Sequence, residues 1–241
     1  MASTSADVGK VWTFFDQSAE NFMIKPLSNA QVDEAISLIQ QVLLDDHIVN
    51  ALGFRSDKKS TESLESLIKS HLTSNLTFGC YLGRTDQLIG VDVIYIRHIN
   101  DDHINSSPRD GEAFCKYMRY LKFVQRQLRY HGAEKRLKYL SSLGMFLLPE
   151  YRSSDIERHM LRIRGNAALY WGIVFNGDAL IEQRIQNYAN ELKYKLYEEI
   201  REDNLERYGL EYLRGADVFP IKIMGKLKTG PKPECQTWRQ A

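Results

Sequence analysis

Apolar residues recur along this chain with two periods, and segments of the two kinds follow one another. Short apolar runs predict strands at residues 22–27, 76–82, 88–96, 140–148, 169–175, 193–200 and 218–227. Apolar residues at helical spacing predict helices at residues 32–43, 64–72, 112–130, 155–163 and 179–192. Because no internal repeat and no linker divides this series, the pattern predicts one mixed α/β domain.

Residues 140–165 combine a strand, a tight turn and the start of a helix. The strand ends at Pro149, which has no N–H group to donate to a sheet. The Ser-Ser-Asp sequence at residues 153–155 is typical of a helix N-cap. Such a turn presents backbone N–H groups and the positive end of a helix dipole, which is an arrangement suited to an anion.

Both ends of the chain differ from its centre. Residues 1–20 are polar apart from a few apolar positions, and residues 228–241 include two prolines. We therefore expect a loosely ordered N-terminal segment at 1–20, a folded domain at 21–227 and a flexible tail at 228–241.

Charge and cysteine content exclude few functions. The net charge of +1 over 241 residues gives no general attraction to nucleic acid or to membranes. No apolar run is long enough to span a membrane, and the N-terminus lacks the basic and apolar regions of a signal peptide. Cys80, Cys115 and Cys235 lack metal-ligand spacing and are typical of reduced thiols, so we expect a cytoplasmic protein.

Four short motifs follow one another along the chain. They are FMIKPL at residues 22–27, LDDHIVNALG at 44–53, PEYR at 149–152, and VF at 218–219 with IMGK at 223–226. In this order they resemble the GNAT superfamily of N-acetyltransferases, and within it the insect arylalkylamine (dopamine-type) N-acetyltransferases. The resemblance implies a single GNAT domain, with a mostly antiparallel sheet that contains a splayed strand pair and is flanked by helices. It also implies acetyl-CoA as cofactor and a small amine as substrate.

The resemblance places the pyrophosphate of acetyl-CoA on the turn after Pro149. The family pattern there is R/Q-x-x-G-x-G/A, and this chain has a different sequence at the matching positions: Arg152, Ser153, Ser154, Asp155, Ile156 and Glu157, followed by Arg158. Asp155 and Glu157 thus place carboxylates where phosphates are expected. At an effective dielectric constant near 20, two like charges about 4 Å apart repel by roughly 4 kcal/mol. The alternative interpretation is that Ser154 or Asp155 caps the helix and both acids complement its dipole, without a ligand.

Three further roles are implied by the resemblance. Backbone N–H groups at Leu147 and Leu148 would hold the thioester carbonyl. Asp46 matches a glutamate that accepts the proton of the substrate ammonium, and His47 replaces a proline and is itself a candidate base. Tyr188 is the nearest hydroxyl to the position that returns a proton to the departing thiolate. The alternatives are an ordinary polar helix end for Asp46 and His47, and a core-facing tyrosine for Tyr188.

Two other groups of residues carry possible chemistry. His98, Asp101, Asp102 and His103 contain metal-ligand side chains, but such a polar loop is usually only a loop, so we predict no metal. Basic and aromatic residues alternate in the helix at 112–130, which favours either a nucleic-acid surface or, more commonly, a solvated amphipathic face.

Two functions of different class therefore remain open. One is acetyl-CoA-dependent N-acetylation of a small amine, with activity reduced by the altered turn. The other is a catalytically inactive GNAT-fold module that no longer binds acetyl-CoA and interacts with a protein partner. The fold alone does not choose between them.

Overall fold

The computed structural model describes residues 22–74, 76–83, 85, 87–98, 106–130, 138–152 and 155–227. The expected N-terminal segment at 1–20 and the tail at 228–241 lie outside these residues.

One sheet forms the centre of the domain. The described strands are β1 Phe22–Pro26, β2 Phe78–Leu82, β3 Leu88–His98, β4 Lys138–Leu147, β5 Phe175–Leu180, β6 Lys195–Ile200 and β7 Ile221–Leu227. Their order across the sheet is β1-β2-β3-β4-β5-β7-β6, and every neighbouring pair is antiparallel except β4 and β5. The predicted mixed, mostly antiparallel sheet is confirmed.

Helices cover both faces of this sheet. The described helices are α1 Val32–Val42, α2 His47–Ala51, α3 Lys58–Leu72, α4 Glu112–Leu128, α5 Ile156–Tyr170, α6 Gln183–Glu191 and α7 Leu205–Tyr208. On one face, buried residues of α1, α3 and α4 form a core with Val91 and Val93 of β3. On the other face, α5 packs against Ile89 and Ile94. Val91 and Ile94 lie on opposite faces because side chains alternate along a strand, and Ile89 joins the second face because the register between β2 and β3 skips it.

The parallel pair β4 and β5 separates soon after it forms. Only Leu140 and Asn176 are paired in register, although β4 continues to Leu147 and β5 to Leu180. On the other side of β4, the register with β3 shifts at Leu143, which is left without a partner. A β-bulge of this kind bends a strand. The two strands therefore splay apart, as predicted, and a cleft opens between them.

Two predicted elements near this cleft were wrong. Residues 169–175 were expected to form a strand, but α5 continues to Tyr170 and β5 begins only at Phe175. The helix is ended by Gly172, which has a positive φ of 72°, and the N–H of Ile173 donates to the C=O of Ala168 at 2.7 Å. The helix expected at 179–192 begins at Gln183, because its first residues belong to β5. A short apolar run alone does not distinguish a buried helix end from a strand.

The aromatic residues of the predicted basic helix face inward. Tyr117, Tyr120 and Phe123 of α4 are buried in the core, whereas Lys122 is exposed. The interleaved aromatic and basic surface that would favour nucleic acid is therefore not formed by this helix. None of the described helices is long and apolar enough to cross a membrane.

A buried arginine connects the two sides of the splayed pair. Arg164 of α5 donates two hydrogen bonds of 2.7 Å to the carboxylate of Asp92 on β3, and one of 3.0 Å to Asp178 on β5. The hydroxyl of Ser142 on β4 also donates to Asp92, at 3.0 Å. Arg164 and Asp92 are both buried. Arg164 thus links α5 directly to β3 and β5, and to β4 through Asp92.

We predict that Arg164→Ala lowers the free energy of unfolding by about 3–5 kcal/mol, because it leaves two carboxylates without their buried counter-ion. Urea denaturation followed by circular dichroism measures this change. Arg158→Ala on the same helix is the control. The partly exposed side chain of Arg158 pairs with Glu191, and its loss should cost less than about 1 kcal/mol. Equal losses for the two variants would contradict the role given to Arg164.

Candidate functional site

Acidic and aromatic side chains line the cleft between β4 and β5. The cleft has a volume of about 120 Å³. Among the described residues, four acidic side chains line it: Asp46, Glu157, Asp178 and Glu182. Tyr117 and Tyr120 of α4 and Ser141 and Ser142 of β4 also line it. A smaller cavity of about 70 Å³ shares Asp46, Glu157 and Glu182 with the cleft and adds Leu147 and Arg152.

Asp46 combines a structural role with a position in the cleft. Its Oδ1 accepts hydrogen bonds from the N–H groups of Ile48 and Val49, both at 3.0 Å, and so caps the N-terminus of α2. Burial raises the pKa of Asp46, and the bond from Val49 and the neighbouring His47 oppose this shift. His47 follows in α2 and also lines the cleft. The structure therefore brings the two candidate bases to one cavity.

Glu157 points into the cleft rather than toward solvent. It lies in the first turn of α5, is only 5% exposed, and its Oε1 accepts a hydrogen bond from Arg184 of α6 at 2.9 Å. The same Arg184 nitrogen donates to Glu182 at 2.9 Å. Burial raises the pKa of Glu157 to about 7, against the lowering effect of Arg184. One guanidinium is thus shared by two carboxylates at the edge of the cleft.

Asp178 is the second acid whose protonation is shifted. Burial raises the pKa of Asp178 to about 6, while Arg164 and the hydrogen bond from the N–H of Ala179 lower it. Its side chain is 20% exposed toward the cleft that it lines. Sequence reasoning missed Asp178 because it treated the segment after residue 178 as a helix. Asp178 lies in strand β5, and from this position its side chain reaches Arg164.

Solved structures with the same arrangement of strands and helices cover most of the chain. A putative arylalkylamine N-acetyltransferase 7 from Aedes aegypti aligns with a TM-score of 0.75 and 18% identity, over 86% of this chain and 87% of that one. Arylalkylamine N-acetyltransferase 2 from the same mosquito has a TM-score of 0.70 and 17% identity, over 86% and 99%. A polyamine N-acetyltransferase from Drosophila melanogaster has a TM-score of 0.64 and 8% identity, over 86% and 99%.

The chain has the GNAT fold. With the splayed strands and the bulged β4, these alignments establish the architecture that the sequence resemblance implied. No family model matches the sequence, and a search of curated proteins found no match. At these identities the likeness concerns the fold alone.

The turn that binds pyrophosphate in the resembled family is altered here. Ser153 and Ser154 lie outside the described residues. Asp155 is the N-cap residue of α5, but its side chain accepts no capping hydrogen bond. Its carboxylate lies 4.0 Å from the guanidinium of Arg158. Arg158 in turn contacts Glu191 at 3.0 Å, and Ile156 is buried in the core. Of the two acids at this turn, Glu157 lines the cleft, whereas Asp155 lies near Arg158 and is not among the lining residues.

Backbone groups of β4 near the turn are already engaged. The N–H of Leu148 donates to the C=O of Ile89 at 3.0 Å, and the C=O of Leu147 accepts from Nε of Arg152 at 3.1 Å. Successive N–H groups of a strand point to opposite sides, so the N–H of Leu147 is directed toward β5. Arg152 lines the same cavity as Leu147 and would suit an anionic cofactor, but the carboxylate of Glu157 in that cavity would repel it. Because side chains replace both glycines of the family pattern, the residues present fit acetyl-CoA poorly.

Tyr188 is not among the residues that line the cleft. It lies on α6 and is packed, partly buried, against the cluster of Leu161, Leu180 and Met224. Burial, together with the charges of Asp155 and Glu157, raises the pKa of Tyr188. Ile185, one turn earlier on the same helix, lines the cleft instead. Tyr117 and Tyr120, which the sequence indicated only as aromatic residues interleaved with basic ones, line the cleft with Asp46, whereas Tyr188 does not.

The predicted absence of a metal site stays a prediction. Asp101, Asp102 and His103 lie outside the described residues. Elsewhere in the described chain no group of three metal-ligand side chains occurs.

We predict that Glu157 makes the protein less stable as pH rises from about 4.5 to about 7. The folded pKa lies above the value of the unfolded chain, so the folded state binds the proton more tightly, and this advantage disappears once Glu157 ionises. Between pH 5 and pH 8, the free energy of unfolding should therefore fall by about 1–3 kcal/mol less in Glu157→Gln than in the wild type. Urea denaturation at several pH values measures the difference. Glu191→Gln, at an exposed position, should keep the wild-type slope, and a Glu157→Gln variant that also keeps it would contradict the prediction.

Proposed function

We propose that this chain binds a small cationic amine in the cleft between β4 and β5, and that it binds acetyl-CoA only weakly. The observation that carries this proposal is the acidic lining of the cleft. A cavity walled by carboxylates concentrates cations and repels phosphates. The aromatic rings of Tyr117 and Tyr120, which also line the cleft, suit the organic part of an amine.

The balance of charge around the cleft supports a cationic ligand. Arg164 is shared by Asp92 and Asp178, and Arg184 is shared by Glu157 and Glu182. In both groups the carboxylates outnumber the guanidinium. Asp46 adds a further acid, whose hydrogen bonds come from backbone N–H groups. An ammonium group entering the cleft would reduce this excess of negative charge.

Proteins with the same fold act on ligands of this kind. Two of the aligned structures are described as arylalkylamine N-acetyltransferases and a third as a polyamine N-acetyltransferase. Their substrates are thus small amines, which agrees with the chemistry of the cleft. The carboxylate of Glu157 makes this side of the cleft less suited to an anion, although Arg152 lines the same cavity.

We predict that acetyl-CoA at 1 mM leaves the melting temperature unchanged within about 1 °C, whereas phenethylamine at the same concentration raises it. A ligand that binds only the folded state stabilises by about 2.7 kcal/mol at 100 times its Kd, which corresponds to roughly 5 °C for a domain of this size. Differential scanning fluorimetry measures both shifts. Sodium chloride at matched ionic strength is the control. A clear rise with acetyl-CoA would overturn the cofactor half of the proposal.

A second candidate function, slow acetyl transfer to the bound amine, is favoured by Asp46. Only a neutral amine is nucleophilic, so a base must take the proton of the ammonium. Burial raises the pKa of Asp46, which makes it a better proton acceptor than an exposed aspartate. A protein partner and a cytoplasmic location stay predictions.

Asp46→Asn tests this second candidate, because asparagine still caps a helix but does not accept the proton. We predict at least a tenfold loss of amine acetylation, measured as thiol released from acetyl-CoA in the presence of phenethylamine. Asp33→Asn, at an exposed position of α1, is the matched control and should stay within twofold of the wild type. If the wild type releases no thiol, or if both variants behave alike, transfer by Asp46 is excluded and amine binding stands alone.

A further inference from the structure

Glu157 has one carboxylate oxygen that lacks a partner. Its Oε1 accepts from Arg184, but Oε2 is buried and accepts no hydrogen bond from any described residue. Buried polar atoms are nearly always hydrogen-bonded, because an unpaired one costs about 1–3 kcal/mol and more when it is charged. An unpaired carboxylate oxygen that is buried at the wall of a cavity therefore requires an explanation.

The position of Glu157 shows what can reach this oxygen. Glu157 lines both the cleft and the smaller cavity, and Asp46 and Glu182 line both as well. The single bridging nitrogen of Arg184 already serves Glu157 and Glu182, each at 2.9 Å. A group that enters either cavity thus meets Asp46 and two acids that share Arg184, and in the smaller cavity it also meets Arg152.

We propose that Glu157 is a ligand-binding residue whose free oxygen accepts a second cationic group of the amine, so that the site prefers short linear diamines to monoamines. This inference rests on the proposed amine binding. It assigns the first ammonium to the side of Asp46 and the second to Glu157. A cationic donor at Oε2 would give the buried carboxylate the hydrogen bond it lacks.

The position in the sequence explains how such a role arises. Glu157 stands in the turn that resembles the pyrophosphate loop, at a position where that pattern has glycine or alanine. A small residue leaves room for a ligand but supplies no charge, whereas a glutamate at the same place reaches into the cavity. The substitution therefore does more than weaken an anion site, because it places a carboxyl group inside the cleft.

Putrescine and butylamine are the probes that test this inference. Both have four-carbon chains, but only putrescine carries a second ammonium. Isothermal titration calorimetry of the full chain should show that putrescine binds at least tenfold more tightly than butylamine. In Glu157→Gln the affinity for putrescine should fall about tenfold, which is about 1.4 kcal/mol, while that for butylamine stays within twofold. Glutamine keeps the shape of the side chain and still accepts from Arg184.

Two further variants make the outcome specific. Glu191→Gln removes an acid from an exposed position on α6 and should change neither affinity. Glu157→Asp keeps the charge, so it should retain part of the preference for putrescine even if Glu157→Gln alters the packing of the cavity.

Each outcome has a defined meaning. If the wild type binds neither amine, the proposed function itself fails. If it binds both amines equally, or if Glu157→Gln keeps the preference for putrescine, amine binding survives and the role of Glu157 is overturned. If Glu157→Gln loses both amines and Glu157→Asp does not recover putrescine, the role of Glu157 is also overturned.

Discussion

The guanidinium of Arg164 is the interaction on which the cleft depends. Beyond Leu140 and Asn176, no ladder of hydrogen bonds joins β4 to β5, so the sheet alone does not fix the distance between its two parts. Arg164 supplies a connection by contacting Asp92 on one side and Asp178 on the other. Burying a guanidinium costs several kcal/mol, and this cost is offset only when good geometry satisfies its donors. A buried charge network therefore connects the two parts of the sheet where β4 and β5 separate.

Helix α5 supplies both the arginine that connects the two sides of the cleft and the buried glutamate that lines it. Arg164 comes from the middle of this helix, and Glu157 comes from its first turn two helical turns earlier. A carboxylate near a helix N-terminus is favoured by the helix dipole, but burial outweighs this effect and raises the pKa of Glu157 to about 7. The strand–turn–helix that the sequence suggested for an anion thus carries an acid of its own in the first turn of the helix.

The fold and part of the site could be predicted from the sequence because both depend on local patterns. The alternating apolar residues of β3 and the helical stripe of α4 are visible in the sequence, and the motif around Asp46 placed that residue at the cleft. The inward direction of Glu157 was not visible, because its partner Arg184 lies 27 residues later. Tyr188 lies on α6 outside the residues that line the cleft, and its role stays a prediction.

The charge of the cleft affects the binding of an acetyl-CoA phosphate and the binding of an amine in opposite ways. At an effective dielectric constant near 20, a unit charge about 4 Å from a carboxylate contributes roughly 4 kcal/mol, unfavourable for a phosphate and favourable for an ammonium. Burial raises the pKa of Glu157 to about 7, so near neutral pH a bound cation would also draw its proton away and strengthen the contact. An anion would do the reverse by favouring the protonated acid. The same residue that weakens the case for acetyl-CoA therefore strengthens the case for an amine, and the two conclusions are consequences of one charge.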